Sequence, residues 1–199
     1  MKLTSKPKEL IPAGTYTAIL YSIVDLGSQK NTFNPNASAR RRVRLTWELC
    51  DELMEDGRPL SIGKEFTASA HKKSTIVSFL SAWTGAPIQN GFELSDMLGQ
   101  ACNLTVSHEV NDSTGEEYAT ISNIAPLKKS EKAPPAQNKL TNFDLDNFNP
   151  SAFGDLPEWL QEKIRISPEY MEALNPSKPV VNSYTQAQPA DDMAQDIPF

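Results

Sequence analysis

Four arginines fall within five residues at the start of "RRRVRLTWEL": Arg40, Arg41, Arg42 and Arg44. A guanidinium presents its donors in a rigid fork that matches phosphate oxygens. Lys64 and Phe66 follow in "GKEF", and Lys72 with Lys73 in "HKKS", while Tyr21 and Phe33 precede the arginines. A phosphate backbone calls for cations, and unstacked bases call for flat rings. The two residue types are interleaved here, which points to a surface for single-stranded nucleic acid. The competing explanation is plainer: Arg and Lys decorate many exposed strands, and Phe66 belongs to a core.

Other chemistries fail individually. "GRPLSIGKE" resembles a phosphate-binding loop, but five residues rather than four separate Gly57 from Gly63. Glu65 also stands where Ser or Thr would meet magnesium. "DELMED" gathers Asp51, Glu52, Glu55 and Asp56 as a metal-dependent nuclease would. No second ligand cluster accompanies it, and a solvated acidic hairpin is the commoner origin of such a run. His71 and His108 lie on different strands without a Ser or Cys partner. Cys50 and Cys102 sit in apolar runs with no C-x-x-C, and read as small buried hydrophobes in a reducing compartment. No reaction, metal or cofactor is expected.

The elements that must position these residues follow from periodicity. "GTYTAILYSIVDLG" alternates and is rich in β-branched and aromatic residues, predicting a strand from Thr15 to about Leu26. Tyr21 is out of phase with Tyr16, so one of the two faces outward. "SQKNTFNPNASA" is a loop by composition. In "RRRVRLTWELCD", Val43, Leu45, Trp47 and Leu49 point one way and Arg42, Arg44, Thr46 and Glu48 the other, a half-buried strand with a basic outer face. A turn at Asp56-Gly57 leads to a third strand, "SIGKEFTASA". The period then changes: Ile76, Phe79, Leu80 and Trp83 mark one face of a helix, with Gly85 as its C-terminal cap. "ACNLTVSHEV" and "EYATISNIAPL" are the last two strands, with a turn at Asp112–Gly115. Trp47 and Trp83 read as core. This order, within about 115 residues, is that of the OB-fold, a small Greek-key barrel whose second and third strands present a face to single strands.

From Lys128 the character changes. "KKSEKAPPAQNK" is a polar linker. Within "GDLPEWLQEKIRISPEYMEALNP", Asp155 with Glu158 fits a capping box, and Ser167-Pro168 fits a second helix start. Leu156, Trp159, Leu160 and Ile164 form one apolar stripe. After Asn175 the composition is that of a disordered chain, closing on "DDMAQDIPF". Residues 1–132 carry fifteen basic and fifteen acidic side chains, so the whole formal charge of −6 lies in residues 133–199. Asp191, Asp192 and Asp196 precede Ile197, Pro198 and Phe199, an acidic string with an apolar tip suited to capture by a partner's pocket. "MKLTSKPKELIPAG" lacks the apolar core of a signal peptide, and no apolar run matches a membrane span. No membrane partner is expected.

The terminal "DIPF" after an acidic stretch resembles the tail tip of bacterial single-stranded DNA-binding proteins. The body is similar to a bacteriophage-encoded group of OB-fold single-stranded DNA-binding proteins. The stretches that carry the likeness are "AGTYTAILYSIVDLGSQ", "VRLTWEL", "GKEFTASAHKKSTIVSFLSAWTG", "DMLGQACNLTVSHE" and "LPEWLQEKIRISPEY". The resemblance implies sequence-tolerant binding of single-stranded DNA in phage replication, recombination or repair. It also implies a tip that recruits replication or recombination proteins of phage or host, in the cytoplasm of an infected bacterium. The alternative is an interaction adaptor whose OB domain binds protein without DNA affinity. The expected organisation is mainly β: a five-stranded OB-fold barrel with one helix at residues 10–128, a linker at 129–154, a short helical segment at 155–175 and a disordered acidic tail at 176–199. Association into a homo-oligomer is left open.

Overall fold

The computed structural model describes residues 10–31, 36–89, 91–128 and 130–175. Strands β1 (Gly14–Gln29), β2 (Arg40–Leu53), β3 (Pro59–Thr67), β4 (Ala101–Val110) and β5 (Glu117–Ala125) form an antiparallel sheet in the order β3-β2-β1-β4-β5. Helix α1 (Thr75–Thr84) lies between β3 and β4 in sequence, as the periodicity predicts. The Ser74 hydroxyl accepts from Val77 N at its start, and Gly85 ends it in the left-handed region.

The sheet is not closed into a barrel, which corrects the sequence-based expectation. Among the described residues no ladder joins edge strands β3 and β5. They meet instead through Lys64 Nζ, which donates to Ile121 O at 2.6 Å. The physical reason is α1, which packs against both edges. Ile76, Leu80 and Trp83 on the helix share one core with Ile62 and Phe66 of β3 and Ile121 and Ile124 of β5. The inner face of β2 joins this core as predicted, with Val43, Leu45, Trp47 and Leu49 all buried.

Residues 141–174 do not behave as a linker with a separate helical island. Strand β6 (Thr141–Phe143) pairs in parallel with Ser22–Val24 of β1. Helices α2 (Pro150–Gly154), α3 (Glu158–Arg165) and α4 (Pro168–Leu174) follow. Strand β1 is 16 residues long, and β4 pairs only with Gly14–Ile19. Beyond that point the backbone groups on the β4 side need another partner, and β6 supplies one. Val24 and Leu26 of β1 point away from the first core into a second one, with Phe143, Leu145, Phe153, Leu156, Leu160 and Ile164. Strand β1 is therefore covered on both faces over its second half, where adjacent residues Ile23 and Val24 are buried in different cores.

Two local devices seat this cover. Gly27 has φ +66°, and a Cβ there would lie 2.4 Å from Ser167 Cβ, so only glycine lets the α3–α4 junction approach β1. Ser167 caps α4 as predicted, accepting from Tyr170 N at 3.2 Å. The capping box expected at Asp155 does not form. Asp155 ends α2, α3 begins after Pro157 without a side-chain cap, and the Asp155 carboxylate instead accepts from Lys139 Nζ at 2.9 Å. Glu48, expected on the solvated face of β2, is 2 % exposed. It accepts from Gln137 N, Asn138 N and Asn138 Nδ2 at 2.6–2.8 Å, which satisfies the buried carboxylate and pins residues 137–138 to the sheet. Among the described residues no helix is long and apolar enough to cross a membrane.

Candidate nucleic-acid interface

Arg42 and Arg44 project from the outer face of β2, as alternation predicts. Their neighbours across on β3 are Thr67 and Glu65. Helix α3 lies over this face and places Trp159 against Arg44, whose Cζ is 4.8 Å from the ring centroid. The contact is a cation–π stack. Gly63 makes it possible: a Cβ at that position would come within 2.4 Å of Arg44 Nη2. Burial lowers the proton affinity of the Arg44 guanidinium and Glu65 opposes that effect. An arginine so placed stays cationic at neutral pH. Lys163, one turn after Trp159, donates to both carboxylate oxygens of Glu65 at 2.7 and 2.8 Å.

Two clefts flank this cluster. One, of about 750 Å3, is lined by Tyr21, Arg44, Thr46, Lys139 and Trp159 among others. Tyr21 reaches it because the β1–β2 register shifts between Leu20 and Ser22, leaving Tyr21 without an opposite residue. Tyr21 lies five positions after Tyr16, so alternation alone sets them on opposite faces, and the bulge switches the inward-facing positions from Ala18 and Leu20 before it to Ile23 after it. Tyr16 faces the first core and donates from its hydroxyl to Pro12 O at 2.7 Å. The other cleft, of about 1000 Å3, is lined by Lys30, Arg40, Arg42, Lys163, Glu65 and Ile166 among others. Glu65 is its one acidic lining residue among those described. Neither Lys30 nor Arg40 makes an ion pair among the described residues, so this wall keeps its positive charge. Trp159 is 49 % exposed and lines the first of these clefts.

The remaining predicted residues go elsewhere. Arg41 is a structural cation. Its Nη2 pairs with Asp25, reaches Asp146 at 2.9 Å and lies 3.7 Å from Asp144. The Asp25 carboxylate holds the guanidinium's pKa above its usual value. Arg41 thereby ties β1 and β2 to the segment after β6. Phe66 is 2 % exposed, its ring 4.9 Å from that of Phe79, so it is a core residue and not a platform for bases. Lys64 is committed to Ile121 O at the β3–β5 seam. Lys72 lines a third cleft, of about 620 Å3, beside Arg41 and away from Trp159. Lys73 is exposed ahead of α1. Phe33 and the tip residues Asp191, Asp192, Asp196, Ile197, Pro198 and Phe199 lie outside the described residues.

Periodicity places Trp159 in the apolar stripe of its helix, and its exposure corrects that expectation. Leu156, Leu160 and Ile164 make the buried stripe at intervals of four. Trp159 and Lys163 make a second pair at the same interval, one residue out of phase. A ring and a cation repeating beside a complete apolar stripe is the signal that marks an outward face. Among the described residues no group of three or more His, Cys, Asp or Glu is placed to hold a metal ion. No family model matches the chain, and no curated protein matches it in sequence.

Proposed function

We propose that this protein binds single-stranded DNA without sequence preference, along the outer face of β2 and β3 beneath α3. The observation that carries the reading is the half-exposed Trp159 ring held by Arg44, with a separate cleft lined by Lys30, Arg40, Arg42 and Lys163 on the other side of the Arg44–Glu65 pair. Rings accept bases of any identity and cations track the backbone, the combination that sequence-tolerant single-strand binding requires. The strand order with a helix between β3 and β4 supports assignment to the OB-fold class, in an open form carrying extra helices. Bases stack on Trp159 and Tyr21 while phosphates follow Arg40, Arg42 and Arg44. The protein is a binder and not an enzyme, acting in phage replication or recombination. The "DIPF" tip recruits partner proteins of those processes.

The test is a salt titration of affinity for labelled oligo-dT. Each phosphate contact should contribute roughly 0.7 to the slope of log K against log salt. Replacing Arg40 and Arg42 by Ala should flatten that slope. Trp159→Ala should cost on the order of 1–3 kcal/mol if the ring stacks a base. A wild-type slope near zero refutes the reading and favours the adaptor. Cleavage of the strand on adding magnesium would favour a nuclease.

A further inference from the structure

We propose that Glu65 marks a backbone-phosphate site, which its own carboxylate fills in the free protein. The inference rests on the single-strand reading and names the central contact of that site. Glu65 stands directly opposite Arg44 in the β2–β3 ladder. Lys163 Nζ donates to Oε1 and Oε2 at 2.7 and 2.8 Å, and Arg44 Nη1 lies 3.6 Å from Oε1. The three side chains are 20 %, 34 % and 21 % exposed, in the order Glu65, Lys163, Arg44. Two cations are thus fixed on either side of a pair of anionic oxygens, at the junction of the two clefts.

The hydrogen bonding is lopsided. Lys163 is fully engaged at charge-assisted distances. Arg44 is not: at 3.6 Å it is beyond a hydrogen bond to Glu65, and its guanidinium donates to no acceptor among the described residues. Its position is nevertheless fixed, by the Trp159 ring on one side and by the missing Cβ of Gly63 on the other. A phosphodiester presents two anionic oxygens, as a carboxylate does, on a larger tetrahedral centre. In this site it reaches Lys163 and the Arg44 fork together. A strand running from the Trp159 cleft to the Arg40 and Arg42 cleft must pass this point, and a fixed carboxylate there repels it. Binding therefore displaces Glu65 from Lys163, and Glu65 competes with the DNA for that cation.

The experiment measures oligo-dT affinity and salt slope for the wild type, Glu65→Gln, Lys163→Gln and Glu162→Gln. Glu162 is exposed on the same helix and controls for loss of a charge alone. Glu65→Gln should bind about tenfold tighter, with the slope steeper by roughly 0.7 for the phosphate now met by unpaired cations. Lys163→Gln should bind more weakly, and Glu162→Gln should lie within about twofold of the wild type. Equal tightening by Glu65→Gln and Glu162→Gln would overturn the site as general electrostatics. Weakening by both Glu65→Gln and Lys163→Gln, with a lowered melting temperature, would overturn it as a structural ion pair. Inorganic phosphate at constant ionic strength is the second probe, followed by quenching of the exposed Trp159. A saturable response to it that Glu65→Gln sharpens would assign the site to a free phosphate and overturn the strand contact. If wild type and Glu65→Gln both fail to bind oligo-dT, the single-strand reading falls and the phosphate site with it. Wild-type binding without a Glu65→Gln gain removes the phosphate site alone.

Discussion

Replacing Ile164 by Ala tests whether the C-terminal helices belong to the same folding unit as the sheet. Ile164 is fully buried on α3, in the core that Val24 and Leu26 of β1 share with Phe143, Leu145, Phe153, Leu156 and Leu160. Truncation removes three carbons from a site closed on all sides, and Ile→Ala at such sites costs about 2–5 kcal/mol. For a unit of this size each kcal/mol lowers the melting temperature by roughly 2–4 °C, so the midpoint should fall by about 10 °C. Met171→Ala is the control: at 55 % exposure on α4 it should stay within about 0.5 kcal/mol. The assay is thermal unfolding followed in parallel by far-UV circular dichroism and by near-UV signals, which report the buried Trp47 and Trp83. Coincident transitions, both shifted, are expected for one cooperative unit. If the near-UV transition stays in place while only the helical signal melts early, the second core does not stabilise the sheet and the reasoning is refuted.

Gly63→Ala should leave the fold intact, because the clash at 2.4 Å is with the far end of the long Arg44 side chain and not with backbone, yet weaken oligo-dT binding by displacing the guanidinium from Trp159. Unchanged affinity would show that Arg44 need not be held in place. Glu169 predicts a pH effect. Burial pushes its carboxyl up, but the Ser28 hydroxyl and N–H hold it below the usual 4.5. Its stabilising contribution is complete above pH 4.5 and is lost as pH falls through the lowered folded-state value. Glu169→Gln should therefore lower stability at neutral pH and flatten the acid limb of the stability curve, as read by urea midpoints between pH 7 and about pH 3. Cys50 is only partly buried, but burial pushes its thiol up to about 11. With Cys102 fully buried, both thiols should resist a thiol reagent at pH 8 and react on unfolding. Rapid labelling of the native protein would contradict this packing.

The alternation of β2 and the 3.6-residue period of α1 were legible because each depends on one strand or helix meeting one core. Strand β4 matched its predicted span residue for residue, from Ala101 to Val110. The outward set of Arg42 and Arg44 was legible for the same reason: the side-chain period of a strand is two wherever one face is buried. What each cation does was not. Arg41 and Arg44 look alike in sequence. The bulges in β1 and the arrival of residues 144–146 turn Arg41 into a tie between three carboxylates, while α3 turns Arg44 into a stacked cation beside Trp159. Phe66 and Phe79 fall in different elements, and only the packing of α1 against β3 brings their rings to 4.9 Å and removes Phe66 from the surface. Local periodicity reports which face of an element is apolar. It does not report that β1 has a second apolar face awaiting a cover from residues 141–174, because that pairing joins residues more than a hundred positions apart and is decided only when the chain folds back.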